Sequence, residues 1–295
     1  MIKENPFYGV ICPILTPFTK DGAICEEVFA EMVNRLIHDG VHGILVGGST
    51  GESVLLNNGE RRRLAEIAVS VADKRTKIFI HSGCLSTKES IELTEHAQKI
   101  GADGASAITP FFFGYSEEEL FNYYLAVTQA VPDFPFSLYV FPGNAKHFMS
   151  TALFVRILEK VPNILAIKLS HPDLIQFQEY IQNSPEAFSV MNGVDALMVA
   201  SLSIGSSGQV SGNANVFPGL FVKTWDAYQN GRFEEAREGQ IRINNLRKIL
   251  HDRIPSFKAA LKIMGVDLGD TRAPISSLTN HEKEILEKEI TDFKY

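Results

Sequence analysis

Short apolar runs and segments of helical period alternate along the whole chain. Residues 10–15, 43–46, 77–80, 104–108, 136–140, 164–168, 188–191 and 208–211 are compact stretches rich in β-branched and small residues, the pattern of strands buried on both faces. Between them lie 26–38, 60–72, 86–100, 117–130, 151–160, 174–183, 196–204 and 219–229, which predict amphipathic helices. In 26–38, for example, Val28, Phe29, Met32, Val33, Leu36 and Ile37 share a face, and Gly40 stops the helix. Ser86-Thr-Lys-Glu89 reads as a capping box opening 86–100. Eight alternating units over about 230 residues have the size and rhythm of a (β/α)8 TIM barrel. Segments 234–251, 256–264 and 280–290 then predict a C-terminal helical extension. The expected organisation is a barrel over 1–230 with a helical region, 231–295, packed on it. The competing architecture, an open doubly wound sheet, calls for a Gly-x-Gly-x-x-Gly turn after the first strand, where the chain has Thr16-Pro-Phe-Thr-Lys-Asp-Gly22.

Composition excludes several partners. The chain has 295 residues and a formal charge of −7, which argues against a nucleic-acid or anionic-membrane surface. Cys12, Cys25 and Cys84 are odd in number with no Cys-x-x-Cys spacing, so reduced thiols in a cytoplasmic protein are expected. The start, Met-Ile-Lys-Glu-Asn-Pro, has no apolar signal core, and no run approaches a membrane span.

In barrels of this kind chemistry gathers at the C-terminal ends of the strands. The unusual polar residues fall there: Ser49 and Thr50, Tyr139, Lys168, Asn192 and Asp195, then Ser211 and Asn213. A lysine ending a buried strand loses hydration, which disfavours the ammonium form and leaves a nucleophilic amine able to attack carbonyls. Its bland alternative is to snorkel to water. Gly47-Gly-Ser-Thr-Gly-Glu52 can cradle an anion, because glycines let backbone N–H groups converge and two hydroxyls add donors. It lacks the Gly-Lys-[Ser/Thr] of a nucleotide loop, which suits a small carboxylate. A tight turn needing glycine explains the glycines but not Ser49 and Thr50. Tyr139-Val-Phe-Pro142 puts a phenol at a strand end, where the ordinary role of a tyrosine is core packing with its hydroxyl satisfied.

Together these stretches resemble the N-acetylneuraminate lyase and dihydrodipicolinate synthase family of Schiff-base (class I) aldolases. Gly48-Ser-Thr-Gly-Glu52 matches the family's Gly-[Thr/Ser]-Thr-Gly-Glu loop, Tyr139 to Pro142 its Tyr-x-x-Pro, and Ile167 to Ser170 its Ile-Lys-x-[Ser/Thr]. The resemblance runs from Pro13 through the C-terminal helices. It implies pyruvate or another 2-oxo acid held as a Schiff base on Lys168, with no separate cofactor and no metal. It further implies that Tyr139 shuttles protons with Ser49 beside it, and that Gly48, Thr50, Asn144, Gly193, Val210 and Ser211 contact substrate. A homotetramer is implied as well, with the loop 111–113 near a subunit contact, although a triple aromatic fits internal core equally.

Departures from the family bear on the substrate. The synthases carry a tyrosine where this chain has Phe112, with Tyr115 nearby but out of register, and an arginine where it has Asn144. Sialic acid lyases are similar at Asn192 to Asp195 but place a glutamate at Ala196 and a serine at Gly212. Gln209 to Asn215 looks more like the branch acting on 2-keto-3-deoxy sugar acids. The expectation is therefore an aldolase cleaving a 2-keto-3-deoxy sugar acid, or a related 4-hydroxy-2-oxo acid, to pyruvate and an aldehyde. The alternatives are 4-hydroxy-tetrahydrodipicolinate synthase, N-acetylneuraminate lyase, or a non-enzymatic 2-oxo acid sensor. A metal enzyme would need clustered ligands, and His81 and His171 stand singly at strand ends, where hydrogen bonding is the commoner role.

Overall fold

The computed structural model describes residues 5–293. Residues 1–4, the polar start that shows no signal core, lie outside the described residues, as do 294–295. Eight parallel strands, β1 Gly9–Pro13, β2 Gly43–Val46, β3 Lys77–His81, β4 Gly104–Ile108, β5 Phe136–Val140, β6 Ile164–Leu169, β7 Ser189–Asn192 and β8 Gly208–Val210, pair in chain order. Pairing of β8 back onto β1 closes the barrel, with Val10 opposite Gln209. The expected (β/α)8 barrel with a C-terminal helical extension is the fold. The ring of helices is α1 Glu26–His38, α2 Asn58–Ala72, α3 Thr87–Lys99, α4 Glu117–Gln129, a short α5 Pro142–Ala145, α6 Thr151–Lys160, α7 Leu174–Gln182, α8 Met198–Ser203 and α9 Pro218–Gln229. The extension is α10 Phe233–Leu250, α11 Ile254–Ile263 and α12 Asn280–Asp292.

The twofold alternation of the strands builds two apolar layers. Ile167 and Leu169 of β6 face the helices, as do Phe136, Leu138 and Val140 of β5, and a register shift between Phe136 and Ser137 against β6 lets Ile164 join them out of phase. Ala166 of β6 instead joins Ile11, Leu45, Phe79, Met191 and Val210 inside the barrel. Phe7 closes its lower end by stacking on Phe79, ring centroids 4.5 Å apart. The same alternation turns Tyr139 and Lys168 inward, above the last apolar layer.

Several local expectations need correction. β1 ends at Pro13, because Leu15 N–H is taken by the Asn215 side chain (3.1 Å) and no longer by a strand. The capping box at Ser86 does not form; the Ser86 side chain makes no cap, and Glu89 accepts instead from Asn58 Nδ2 at 2.9 Å. Capping boxes stand at Asn57/Glu60, Ser116/Glu119 and Thr279/Glu282. The segment 196–204 is one turn of 3-10 helix, Asp195–Leu197, before α8. Among the described residues no helix is long and apolar enough to cross a membrane, and the three cysteines are unpaired.

The C-terminal extension is tied to the loop after β2. Lys258 of α11 forms a buried ion pair with Glu52 (2.8 Å), and the other oxygen of Glu52 accepts from the Arg272 backbone N–H at 2.8 Å. Arg272 itself pairs with Glu60 of α2 and donates to the carbonyls of Gly22 and Leu55. Removing one partner of a buried pair strands the other charge away from water. Lys258→Met is therefore expected to lower stability by about 3 kcal/mol in urea unfolding. Arg237→Ala, which breaks only the exposed pair with Glu234, should leave the midpoint where it is.

Candidate active site

Tyr139 and Lys168 are paired residues on adjacent strands, so one strand spacing separates their backbones and both side chains point into the barrel mouth. Lys168 Nζ lies over the Tyr139 ring, 4.0 Å from its centroid. Both side chains are buried, Tyr139 at 2% and Lys168 at 8% relative exposure, so the lysine does not snorkel to bulk water. The path of the lysine stem depends on Gly193. A Cβ there would stand 2.9 Å from Lys168 Cε and 2.2 Å from Ser170 Oγ. The Tyr139 hydroxyl meets Ser49 Oγ at 3.3 Å.

Ser49 is held by a compact turn. Ser49–Gly51 forms one turn of 3-10 helix after an extended Gly48, and such a turn gives its first N–H groups no carbonyl of its own. Thr16 Oγ1 donates to Gly51 O at 2.7 Å, and a Cβ at Gly51 would stand 2.9 Å from Ile14 O, so this loop lies flat on the chain leaving β1. Glu52 follows in the left-handed conformation at φ 60°, its carboxylate anchored on Lys258.

Two cavities meet at this point. One of about 280 Å³ holds Lys168, Thr50, Gly193, Val210, Gly212 and Phe257. The other, about 860 Å³, is lined by Arg61, His81, Glu89 and Asn144, and Ser49 and Tyr139 border both. The fold thus brings Lys168, Tyr139, Ser49, Thr50, Gly193 and Val210 together. It does not bring all the expected residues. Asn144 lines the larger cavity and not the one that holds the lysine, and Gly48 is outside both linings. Ser211 is turned away, because its hydroxyl donates to Asp195 Oδ2 at 2.6 Å.

The loop after β4 also departs from expectation. Of the triple aromatic, Phe111 packs against Ile108, Tyr139 and Ala145, whereas Phe112 and Phe113 are exposed, with Phe112 in the left-handed region at φ 81°. Tyr115 packs on His147 and Phe113, with ring centroids 5.5 and 6.3 Å away, and lines neither cavity.

His81 plays the hydrogen-bonding role expected of it. Its Nε2 accepts from Ile108 N–H at 3.2 Å, and its ring meets Tyr139 edge-on at 6.1 Å. Burial first, then the Arg61 guanidinium and the Lys168 side chain, hold its imidazole well below the ordinary range, so it is neutral. Arg61, in the first turn of α2, reads in the sequence as one of three successive surface arginines. It is buried at 6% exposure and donates to His81 O (2.7 Å), Gly83 O (3.2 Å) and Cys84 Sγ (2.9 Å). Its place on the inner face of α2, among Leu64, Ala65 and Ala68, is the signal that could have found it. His171 meets Phe148 edge-on and accepts from Asp173 N–H. Among the described residues no group of three His, Cys, Asp or Glu side chains is placed to hold a metal.

The wall of the smaller cavity includes buried Asp195, the centre of a polar network. It accepts from Gln209 Nε2 (2.7 Å), Ser211 Oγ (2.6 Å) and Asn213 Nδ2 (2.7 Å), and Gln240 of α10 donates to its backbone carbonyl at 2.9 Å. Burial outweighs these donors and raises its carboxyl from 3.8 to about 6.

Comparison with known proteins agrees with this fold. The model of the dihydrodipicolinate synthetase family matches residues 6–293. The 4-hydroxy-tetrahydrodipicolinate synthase of Methanopyrus kandleri is 33% identical over 286 residues, covering 96% of this chain and 95% of its own. Among solved structures, a prophage protein of the dihydrodipicolinic acid synthase family from E. coli K12, in complex with pyruvate, superposes with a TM-score of 0.92 at 27% identity, covering 97% of this chain and 98% of its own. A catalytic lysine mutant of the Ruminococcus gnavus sialic acid aldolase gives 0.93 at 27% identity, covering 97% and 95%.

The raised carboxyl of Asp195 has a signed consequence. The folded state holds this proton more tightly than the unfolded chain, so its contribution to stability is present below the unfolded value and is lost as pH rises through about 6. The stability difference between the wild type and Asp195→Asn should move toward the wild type by up to about 3 kcal/mol as pH falls from 7 to 4. Urea midpoints across that range measure it, and a flat difference overturns the assignment.

Proposed function

The chain belongs to the dihydrodipicolinate synthetase family and is a carbon–carbon lyase of its aldolase type, and from that premise we propose that Lys168 forms a Schiff base with pyruvate or a closely related 2-oxo acid. The observation that carries this reading is the buried amine standing over the Tyr139 ring at 4.0 Å, at the mouth of the barrel. The amine attacks the 2-oxo carbon, water leaves, and the resulting iminium is an electron sink for the carbanion made or consumed at C3. The N–H groups of Ser49 and Thr50 receive the carboxylate, and Thr50 borders the cavity of Lys168. The Tyr139 hydroxyl, 3.3 Å from Ser49 Oγ, moves the proton in both directions. Val210 and Gly193 bound the space beside the iminium.

The second substrate admits two readings. Relatives at 31–35% identity are named 4-hydroxy-tetrahydrodipicolinate synthase, which supports condensation of pyruvate with aspartate semialdehyde. These names back that reading better than the cleavage expected from the sequence. Two residues favour cleavage of a 2-keto-3-deoxy sugar acid: Phe112 offers no hydroxyl, and exposed Asn144 offers no guanidinium fork for a second carboxylate. Unpaired Cys12, Cys25 and Cys84 suit a cytoplasmic setting. Exposed Phe112, Phe113, Val54 and Leu85 suit a subunit contact in a homotetramer.

Borohydride reduction with pyruvate should give one covalent adduct, on Lys168, and none in Lys168→Arg, whose guanidinium cannot form an imine. Turnover persisting in that variant overturns the reading. Tyr139→Phe should still trap pyruvate but turn over about 10²–10⁴-fold more slowly. A pyruvate sensor would trap without turning over any aldehyde.

The direction of use is decided by kcat/KM for two reactions run side by side. Condensation with aspartate semialdehyde faster by about tenfold or more assigns the synthase activity. The opposite ratio assigns cleavage of the sugar acid.

A further inference from the structure

The mouth of the Lys168 cavity is built in part by the C-terminal extension. Arg247, in the last turn of α10, and Asp252, in the turn to α11, both border it. Their pairing differs from the other surface ion pairs in what it holds. Arg247 grips Asp252 through both Nε (3.2 Å) and Nη2 (2.5 Å), a two-point contact that fixes the orientation of the carboxylate. The remaining reach of Asp252 is inward, where its Oδ1 accepts from Asn213 Nδ2 at 2.7 Å. The Asn213 amide is shared with buried Asp195, also at 2.7 Å, and its Oδ1 has no partner among the described residues. Asn213 is thus committed to the two carboxylates. His251 and Asp252 both take left-handed backbone at φ 52°, so the turn is bent to present this side chain.

The Asp252 carboxylate is oriented from two sides yet 45% exposed, and it borders the same cavity as Lys168. We propose that Asp252 reads the aldehyde half of the second substrate, accepting a hydrogen bond from a donor on it, either a hydroxyl or an ammonium, and disfavouring a carboxylate at that position. The mouth carries two carboxylates, Asp252 and Asp195, against one guanidinium that is already spent on Asp252. A carboxylate placed there faces the half-exposed Asp252 carboxylate with the Arg247 guanidinium already engaged, whereas a donor adds to the coordination of Asp252. Gly212 leaves the way open, since a Cβ at that position would stand 3.3 Å from Thr50 Oγ1 and 3.2 Å from the Phe257 ring.

This inference rests on the Schiff-base reading and is tested with the full chain, pyruvate and a panel of aldehydes. Glyceraldehyde carries hydroxyl donors, propionaldehyde carries none, succinic semialdehyde carries a carboxylate without a donor, and aspartate semialdehyde carries both an ammonium and a carboxylate. For the wild type, kcat/KM at saturating pyruvate should favour glyceraldehyde over propionaldehyde by about tenfold or more. Asp252→Ala should bring that ratio close to one and improve succinic semialdehyde. Asp252→Asn, which keeps the shape and one acceptor, should retain part of the hydroxyl preference while admitting the carboxylate. Aspartate semialdehyde should lose rate in Asp252→Ala if its ammonium is what Asp252 reads. Borohydride trapping of pyruvate is the internal reference. Trapping with an unchanged glyceraldehyde ratio in both variants defeats this inference alone, and so does trapping that falls in step with aldehyde turnover, which marks a structural role. Absence of trapping in the wild type defeats both readings.

Discussion

The register between β5 and β6 is the constraint on which the site depends. Because Tyr139 pairs with Lys168, the two side chains rise on the same face of neighbouring strands and meet without any loop to position them. A slip of one residue would turn Lys168 into the helix layer and bring Leu169 or Ile167 into the mouth. Packing on both sides of the sheet opposes that slip. Ala166 fits the small interior layer, while Ile164, Ile167 and Leu169 fill the space under α6 and α7. Gly193 completes the constraint from β7, since any side chain there would occupy the path of the lysine stem.

Much of this was legible in the sequence. Strand and helix order follow from apolar period, and the inward turn of Tyr139 and Lys168 follows from alternation counted along runs whose ends were read to within a few residues. What the sequence did not disclose is where neighbours across the fold redirect a side chain. Ser86 and Glu89 have the spacing of a capping box, yet Asn58 from the preceding helix takes the glutamate. Ser211 has the position of a substrate contact, yet Asp195 takes its hydroxyl. Arg61 looks like one more surface charge on a helix carrying three successive arginines. It is buried only because His81, Gly83 and Cys84 offer it acceptors on the neighbouring strand end. Local spacing cannot rank such competitors, because the winning partner lies 16 or more residues away.

The C-terminal helices are joined to the site at two independent points. The buried Lys258–Glu52 pair fixes the far end of the turn that carries Ser49 and Thr50. Asn213, between Asp195 and Asp252, fixes the end of β8 against the turn after α10. The first contact bears on the side of the cavity proposed to receive the carboxylate, and the second on the side proposed to meet the rest of the substrate. Rigid elements bearing on both sides of a reacting amine are what positioning within fractions of an ångström requires.

A separation of labour follows from where the unusual residues sit. Lys168, Tyr139, Ser49 and Thr50 are supplied by strand ends and by one turn locked to β1 and α11, and they share the small cavity or its border. Phe112 and Asn144, the positions that depart from the synthases, stand outside that cavity, on an exposed loop and on the larger cavity. Changes there leave the desolvated amine, its phenol and the carboxylate turn untouched. Barrel walls therefore hold the imine chemistry constant while the rim is free to vary its partner. On this scaffold a shared name for the reaction at the lysine carries over to relatives more safely than a shared name for the second substrate.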